Sequence, residues 1–235
     1  MKKFLKIATG IVALAMMFSI CSCAEKSQSG SAARGRVYSD EERKPEYGQM
    51  PSFSQDTLGS LFQLCSDNLG ADLSDAEKAI GDFFNTRLED QTGYVLTDTR
   101  EDVVTTMHVY VQMLEKNDIR FNGMEIWTDE KEGYVRRISF ALQNSDYVSV
   151  HIDDTPEFRE EILGLGSSIN DALTGVAGAP YDTGLCAWDE DSPYNYYLIS
   201  DSCYINVEIR DFTGEGGNDL VSVDLIIADC EILLF

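Results

Sequence analysis

From Cys203 to Arg210 the chain alternates without a break: Cys203, Ile205, Val207 and Ile209 are apolar, whereas Tyr204, Asn206, Glu208 and Arg210 carry polar groups. A period of two matches only an extended strand whose faces meet different environments, so this segment predicts an antiparallel strand with one face toward a core and the other toward water. That open face would be available to a partner. Val221, Val223, Leu225 and Ile227 repeat the pattern, and Thr213 to Asn218, with three glycines, supplies the turn between the two strands. With 43% hydrophobic residues the chain has enough apolar matter to fold.

Elsewhere the periodicity is helical or strand-like by turns. Leu58, Leu61, Phe62, Leu64 and Cys65 keep helical spacing after Ser54 to Asp56; Ala76, Ala79, Ile80, Phe83 and Phe84 do so after Ser74, with Glu77 three residues on as in a capping box. Met124 to Thr128 and Tyr134 to Leu142, joined by Asp129 to Gly133, read as a hairpin. Residues 99–116 carry both a helical spacing (Val104, Met107, Val111, Leu114) and strand propensity (Val103 to Thr106, Val109), and strand is the reading adopted. The order then repeats, with helices over Glu157 to Leu163 and Ile169 to Val176. Strands follow over Leu185 to Asp189, Tyr194 to Ile199, Cys203 to Arg210 and Leu220 to Ala228.

The expected fold class is α+β, as two tandem modules over residues 52–152 and 153–235, each of short helices packed on an antiparallel sheet. Leu69, Gly70, Leu73, Asp75, Ala76 and Ile80 match Leu165, Gly166, Ile169, Asp171, Ala172 and Val176 at a constant offset. Internal duplication and chance likeness between two amphipathic helices both account for this.

Leu165, Gly166, Ile169, Val176, Gly178, Pro180 and Tyr181, with the Tyr-rich strand and the strand pair after them, make the second half resemble β-lactamase-inhibitor-protein-like domains. The first half resembles them more faintly. The resemblance implies two short helices on a four-stranded antiparallel sheet in each module, and a fold used for protein–protein inhibition. Ala177 stands where those domains usually carry Leu before the final Gly, and the first half lacks the Gly-Pro pair. No inhibitory contact carries over to a named residue.

The front of the chain reads as an address. Lys2, Lys3 and Lys6 precede an apolar run from Ile7 to Ile20, fourteen residues against the ~20 that a membrane-spanning helix needs, so residues 1–22 read as an export signal. Ile20, Cys21, Ser22 and Cys23 resemble the bacterial lipoprotein signal, with Cys23 at the acylated position. That resemblance implies a lipid on the Cys23 sulfur and a body held to the bilayer by buried acyl chains, each CH₂ contributing ~0.8 kcal/mol. The place implied is the cell envelope, facing outward from the cytoplasmic membrane, or the outer membrane in a cell that has one. Residues 23–51 are polar without an apolar period and would be a flexible tether with an r.m.s. reach of roughly 30 Å.

Eighteen basic against forty-one acidic residues give a net charge of −23. Such a surface repels phosphates, which excludes nucleic acid as a partner, and it gives no attraction to anionic headgroups; the lipid alone would hold the membrane. The two histidines, His108 and His151, have no nucleophile motif beside them, and no His-Glu-x-x-His, Walker loop or Gly-x-Ser-x-Gly is present. Asp189, Glu190, Asp191 and Asn195 do not match a calcium-loop spacing and read as a solvated acidic turn. No metal, cofactor or catalytic residue is expected.

Cys65, Cys186, Cys203 and Cys230 allow three pairings, with Cys186 to Cys203 the first to test against a reduced core cysteine at 203. The remaining feature is aromatic: Trp188, Tyr194, Tyr196, Tyr197 and Tyr204 crowd the second half and form the candidate binding surface, with Tyr194 and Tyr196 on the face opposite Tyr197. The functional expectation is a noncatalytic, lipid-anchored binding module for a protein or envelope ligand. An anchored hydrolase with paired carboxylates and a self-associating envelope protein are the alternatives.

Overall fold

A computed structural model describes residues 50, 52–89, 92–97, 104–129, 133–144, 149–150, 152–186, 189–200, 202–212 and 220–229. The leader, Cys23, nearly all of the tether, His151, Trp188 and Cys230 lie outside these residues.

Among the described residues two helices come first, α1 (Thr57–Asn68) and α2 (Leu73–Phe84), followed by strands β1 (Thr92–Thr97), β2 (Val104–Tyr110), β3 (Leu114–Lys116), β4 (Ile119–Phe121), β5 (Gly123–Asp129) and β6 (Val135–Gln143). Helix α3 (Pro156–Ala177) then precedes β7 (Asp182–Cys186), β8 (Asp189–Ser200), β9 (Cys203–Phe212) and β10 (Leu220–Asp229). The protein is α+β, and its described residues build an antiparallel sheet of eight strands in the order β1-β2-β5-β6-β10-β9-β8-β7, with β3 and β4 as a separate ribbon.

The alternation of residues 203–210 sets the register that follows. Ile205 stands opposite Ile227, Val207 opposite Leu225 and Ile209 opposite Val223; β10 in turn places Leu225 against Phe140 and Ile227 against Ile138 of β6. One face of the sheet is therefore aliphatic and aromatic across these three strands, and it is continuous with the buried sides of the three described helices in a single core running from Phe53 to Ile227. Each side chain of this kind contributes ~1.5–3 kcal/mol by leaving water.

Helix α1 starts where Asp56 accepts a hydrogen bond from Gly59 N at 2.8 Å. The start of α2 differs from the sequence expectation. Asp72 occupies the cap position and Ser74 lies inside the first turn, so no capping box forms; Glu77 instead accepts a hydrogen bond from Tyr110 on β2 at 2.8 Å. The segment left between helix and strand is strand over Val104–Tyr110 and Leu114–Lys116.

The second half holds one helix of 22 residues in place of the two expected. Glycines and serines at 164–168 suggest a break, but Ser167 and Ser168 donate their hydroxyls to the Leu163 and Gly164 carbonyls and so spend their competing hydrogen bonds on the helix itself. Gly166 faces the sheet, where a Cβ would come within 2.9 Å of Ile209 Cγ1 and 3.3 Å of Val223 Cγ2. Its missing side chain lets α3 pack closely on β9 and β10.

Where β6 meets β10 the aliphatic face carries a charge pair. Arg136 is 2% exposed and donates to Asp229 at 2.9 Å, with an Asp129 oxygen at 3.9 Å. A β-bulge at Trp127/Thr128 opens the register beside Arg136.

Candidate binding face

The face of the sheet away from the helices carries Tyr194, Tyr196, Leu198, Tyr204, Asn206, Glu208 and Arg210, as the cross-strand pairs Tyr194–Glu208, Tyr196–Asn206 and Leu198–Tyr204 show. The sequence expectation of a water-open polar face needs correction here: Tyr204, Asn206 and Glu208 are buried. These side chains cover one another. Asn206 Nδ2 donates to Glu208 Oε1 at 3.1 Å and Arg210 to Glu208 Oε2 at 2.8 Å, while the Tyr196 ring stacks on Tyr204 with centroids 5.1 Å apart.

The tyrosines form a ladder leading to the sheet edge. Tyr204, Ile226 and Ala228 make a small apolar island, with Tyr196 packed against it. Beyond Tyr196 lies Tyr181, its ring centroid 5.9 Å away and its backbone N–H donating to the Tyr196 carbonyl at 2.7 Å. Tyr181 is 74% exposed and Leu198 39%, the exposed large hydrophobic side chains among the described residues. Tyr194 joins the rim through a hydrogen bond from its hydroxyl to Asp182 at 3.1 Å. A large rigid ring with a polar tip, left in water at an edge, is the side chain that gains most from being covered by a partner.

Tyr197 does not belong to this surface. It pairs with Ile205 on the helix-covered face, is 1% exposed, and donates its hydroxyl to Asn170 Oδ1 on α3 at 3.0 Å. Alternation in β8 forces this separation, because a residue between Tyr196 and Leu198 must point the other way. Of the five aromatic residues proposed from sequence, Tyr194, Tyr196 and Tyr204 share the face, Tyr197 is in the core, and Trp188 lies outside the described residues.

Sequence reasoning passed over Tyr181 and Leu198 as surface residues. The signal for Tyr181 was present, since it follows Gly178 and Pro180 outside any apolar period; Leu198 required the register of β8.

The polar middle of the face is electrostatically unbalanced. Glu208 and Asp224 are cross-strand partners, and Arg210 reaches both, at 2.8 Å and 3.6 Å. Burial holds the Asp224 carboxyl above the usual carboxylate range; Arg210 and a hydrogen bond from Ser222 oppose that rise, and the nearby charges of Glu208 and Glu125 add to it. On the far side, Arg137 lies over the Trp127 ring at 4.5 Å and donates to Ser139, while Trp127 donates to Glu125 at 3.0 Å.

His108 is half-buried on the helix-covered face, its Nε2 3.4 Å from the Thr128 hydroxyl. Among the described residues no group of three or more His, Cys, Asp and Glu is arranged to hold a metal ion, and no helix is long and apolar enough to cross a membrane.

The register also removes the Cys186 to Cys203 bridge. Cys186 lies beyond the Gly184–Tyr194–Glu208 row, and Glu208 is five residues from Cys203 along β9, ~17 Å at ~3.4 Å per residue, against the ~7 Å Cα separation that a disulfide tolerates.

No family model, curated protein or solved structure matches this chain.

Proposed function

We propose that this chain is a noncatalytic, extracytoplasmic binding protein, held to a membrane by a lipid on Cys23, that engages a protein or envelope ligand through the β7–β8 end of its helix-free face. The location follows from the leader and the Ile20-to-Cys23 pattern. The observation that carries the binding role is the tyrosine ladder: Tyr204 and Tyr196 rigidly stacked, Tyr181 left in water at the end. Fixed aromatic rings at an edge offer contact area at low entropic cost, which suits recognition better than chemistry.

Two four-stranded modules joined edge to edge are part of the same reading. The order β1-β2-β5-β6 mirrors β7-β8-β9-β10, and the last strand of each half lies at the seam. This arrangement supports the tandem resemblance of the sequence, with residues 52–152 and 153–235 as the two units.

The test is a comparison of ligand capture by the mature protein and by Tyr181→Ala/Tyr196→Ala, using envelope fractions of the cell that makes it. Loss of the same captured species from the variant supports the reading, and an unchanged set removes the ladder from it. Metabolic labelling with a fatty acid, followed by mass spectrometry of Cys23, checks the anchor separately.

A second reading, the anchored hydrolase, has one observation in its favour: Glu208 and Asp224 face each other and the Asp224 carboxyl is raised. Both Glu208 oxygens are engaged, by Asn206 and Arg210, which suits an ordering role better than proton transfer. Turnover of a glycan or ester substrate that disappears in Glu208→Gln would reverse that preference.

A further inference from the structure

Cys65 and Cys203 both lie in the core, fully buried, in the same contiguous cluster. Sequence places them 138 positions apart, in different halves of the chain. The fold brings them to one end of the sheet. The exit of α1 is fastened to β6, where Gly70 N donates to the Val135 carbonyl at 2.7 Å and Val135 N donates to the Ala71 carbonyl at 2.8 Å. The next residue, Arg136, is bonded to Asp229 of β10, and Asp229 is the direct cross-strand partner of Cys203 on β9. Cys203 thus sits two strands from the α1 anchorage, ~10 Å across the sheet, and its side chain points to the helix-covered face. Cys65 is five residues back from Gly70, about one and a half helical turns, on the side of α1 that faces the same core.

We propose that Cys65 and Cys203 form a disulfide that ties α1 to β9 when the chain folds in an oxidising environment. The inference rests on the export reading for its occurrence in the cell, but the pairing itself rests on the geometry above. Both thiols are free in this structure; burial, with Cys203 adding to its effect, pushes the Cys65 thiol up. The folded Cys65 thiol is therefore a poor nucleophile, and the bond forms before the core closes.

With oxidised glutathione as the oxidant, one cysteine thiolate attacks the glutathione disulfide and releases one glutathione. The second cysteine thiolate then attacks the protein sulfur of that mixed disulfide and releases the other. Two cysteine protons end on the two glutathiones, the S–S bond of glutathione is broken, and one S–S bond is made between Cys65 and Cys203.

The test refolds the full chain carrying Cys186→Ser, Cys230→Ser, Cys21→Ser and Cys23→Ser in a mixture of oxidised and reduced glutathione, followed by alkylation in denaturant and peptide mapping. The expected result is a 2 Da loss, a single peptide linking residues 65 and 203, and a urea midpoint that falls when the bond is reduced. Natively folded protein whose two thiols are both alkylated after this treatment overturns the proposal. The unsubstituted chain, refolded alongside, should give the same 65–203 peptide as its main linkage, and dominant linkage of Cys65 or Cys203 to another cysteine also overturns it. Recovery of the linked peptide in vitro but only thiols from cells would instead count against export.

Discussion

The two faces of β9 teach different lessons although they belong to the same ten residues. Toward the helices, Ile205, Val207 and Ile209 meet similar aliphatic partners on β10, and packing into the core explains their placement. On the other side Tyr204, Asn206 and Glu208 are also buried, but each depends on a particular neighbour, a stacked ring or a hydrogen-bonded charge. The first face penalises lost volume and overpacking. The second penalises lost partners and leaves exposed rings where it meets the sheet edge.

The charge pair at the seam offers the largest break in this contrast, because it places a partner-dependent interaction on the aliphatic face. Arg136→Ala leaves Asp229 buried without its guanidinium and should cost ~3–5 kcal/mol in urea unfolding, whereas Arg136→Met with Asp229→Leu should recover most of that loss. Next in size, Leu225→Ala removes buried volume opposite Val207 and Phe140 and should cost ~2–5 kcal/mol in the same measurement.

Helix α3 gives a smaller and signed comparison. Gly164 has open space around it, so Gly164→Ala should add ~0.5–1 kcal/mol, but Gly166→Ala drives a Cβ into Ile209 and should lose stability instead. Thermal unfolding of the two variants side by side reads the difference.

Asp224 sharpens the account of the other face through pH. Its carboxyl holds a proton more tightly folded than unfolded, so across the window that starts near the ordinary value of 3.8 and extends upward the native state binds more protons and stability falls as pH rises. Asp224→Asn should flatten that part of a stability–pH profile, and an unchanged slope would assign it to another group. Smallest of all is Tyr181→Ala, expected to shift unfolding by less than ~0.5 kcal/mol because the ring is exposed, while removing ligand capture.

Much of this was legible in the residues themselves. The β5–β6 hairpin, β9, β10, α1 and the segregation of Tyr197 from Tyr194 and Tyr196 all follow from local periodicity, which the backbone obeys directly. The continuity of α3 was readable in the stripe Phe158, Ile162, Leu165, Ile169 and Leu173, but the glycines and serines between hid it. Three features were not local at all: the joining of β6 to β10, the Arg136–Asp229 pair 93 residues apart in the chain, and the meeting of Tyr181 with Tyr196. Each depends on which strands become neighbours, and no period within a strand specifies that.

The division of labour between the faces is tested most directly by photo-crosslinking in the cell that makes the protein. A benzophenone side chain is placed at position 181 or 198 on the ladder, and at the exposed Ser167 of α3 for comparison. The account predicts one discrete crosslinked species from positions 181 and 198, lost when Tyr196→Ala is added, and none from position 167. The same adducts from all three positions, or none from the ladder, would contradict it.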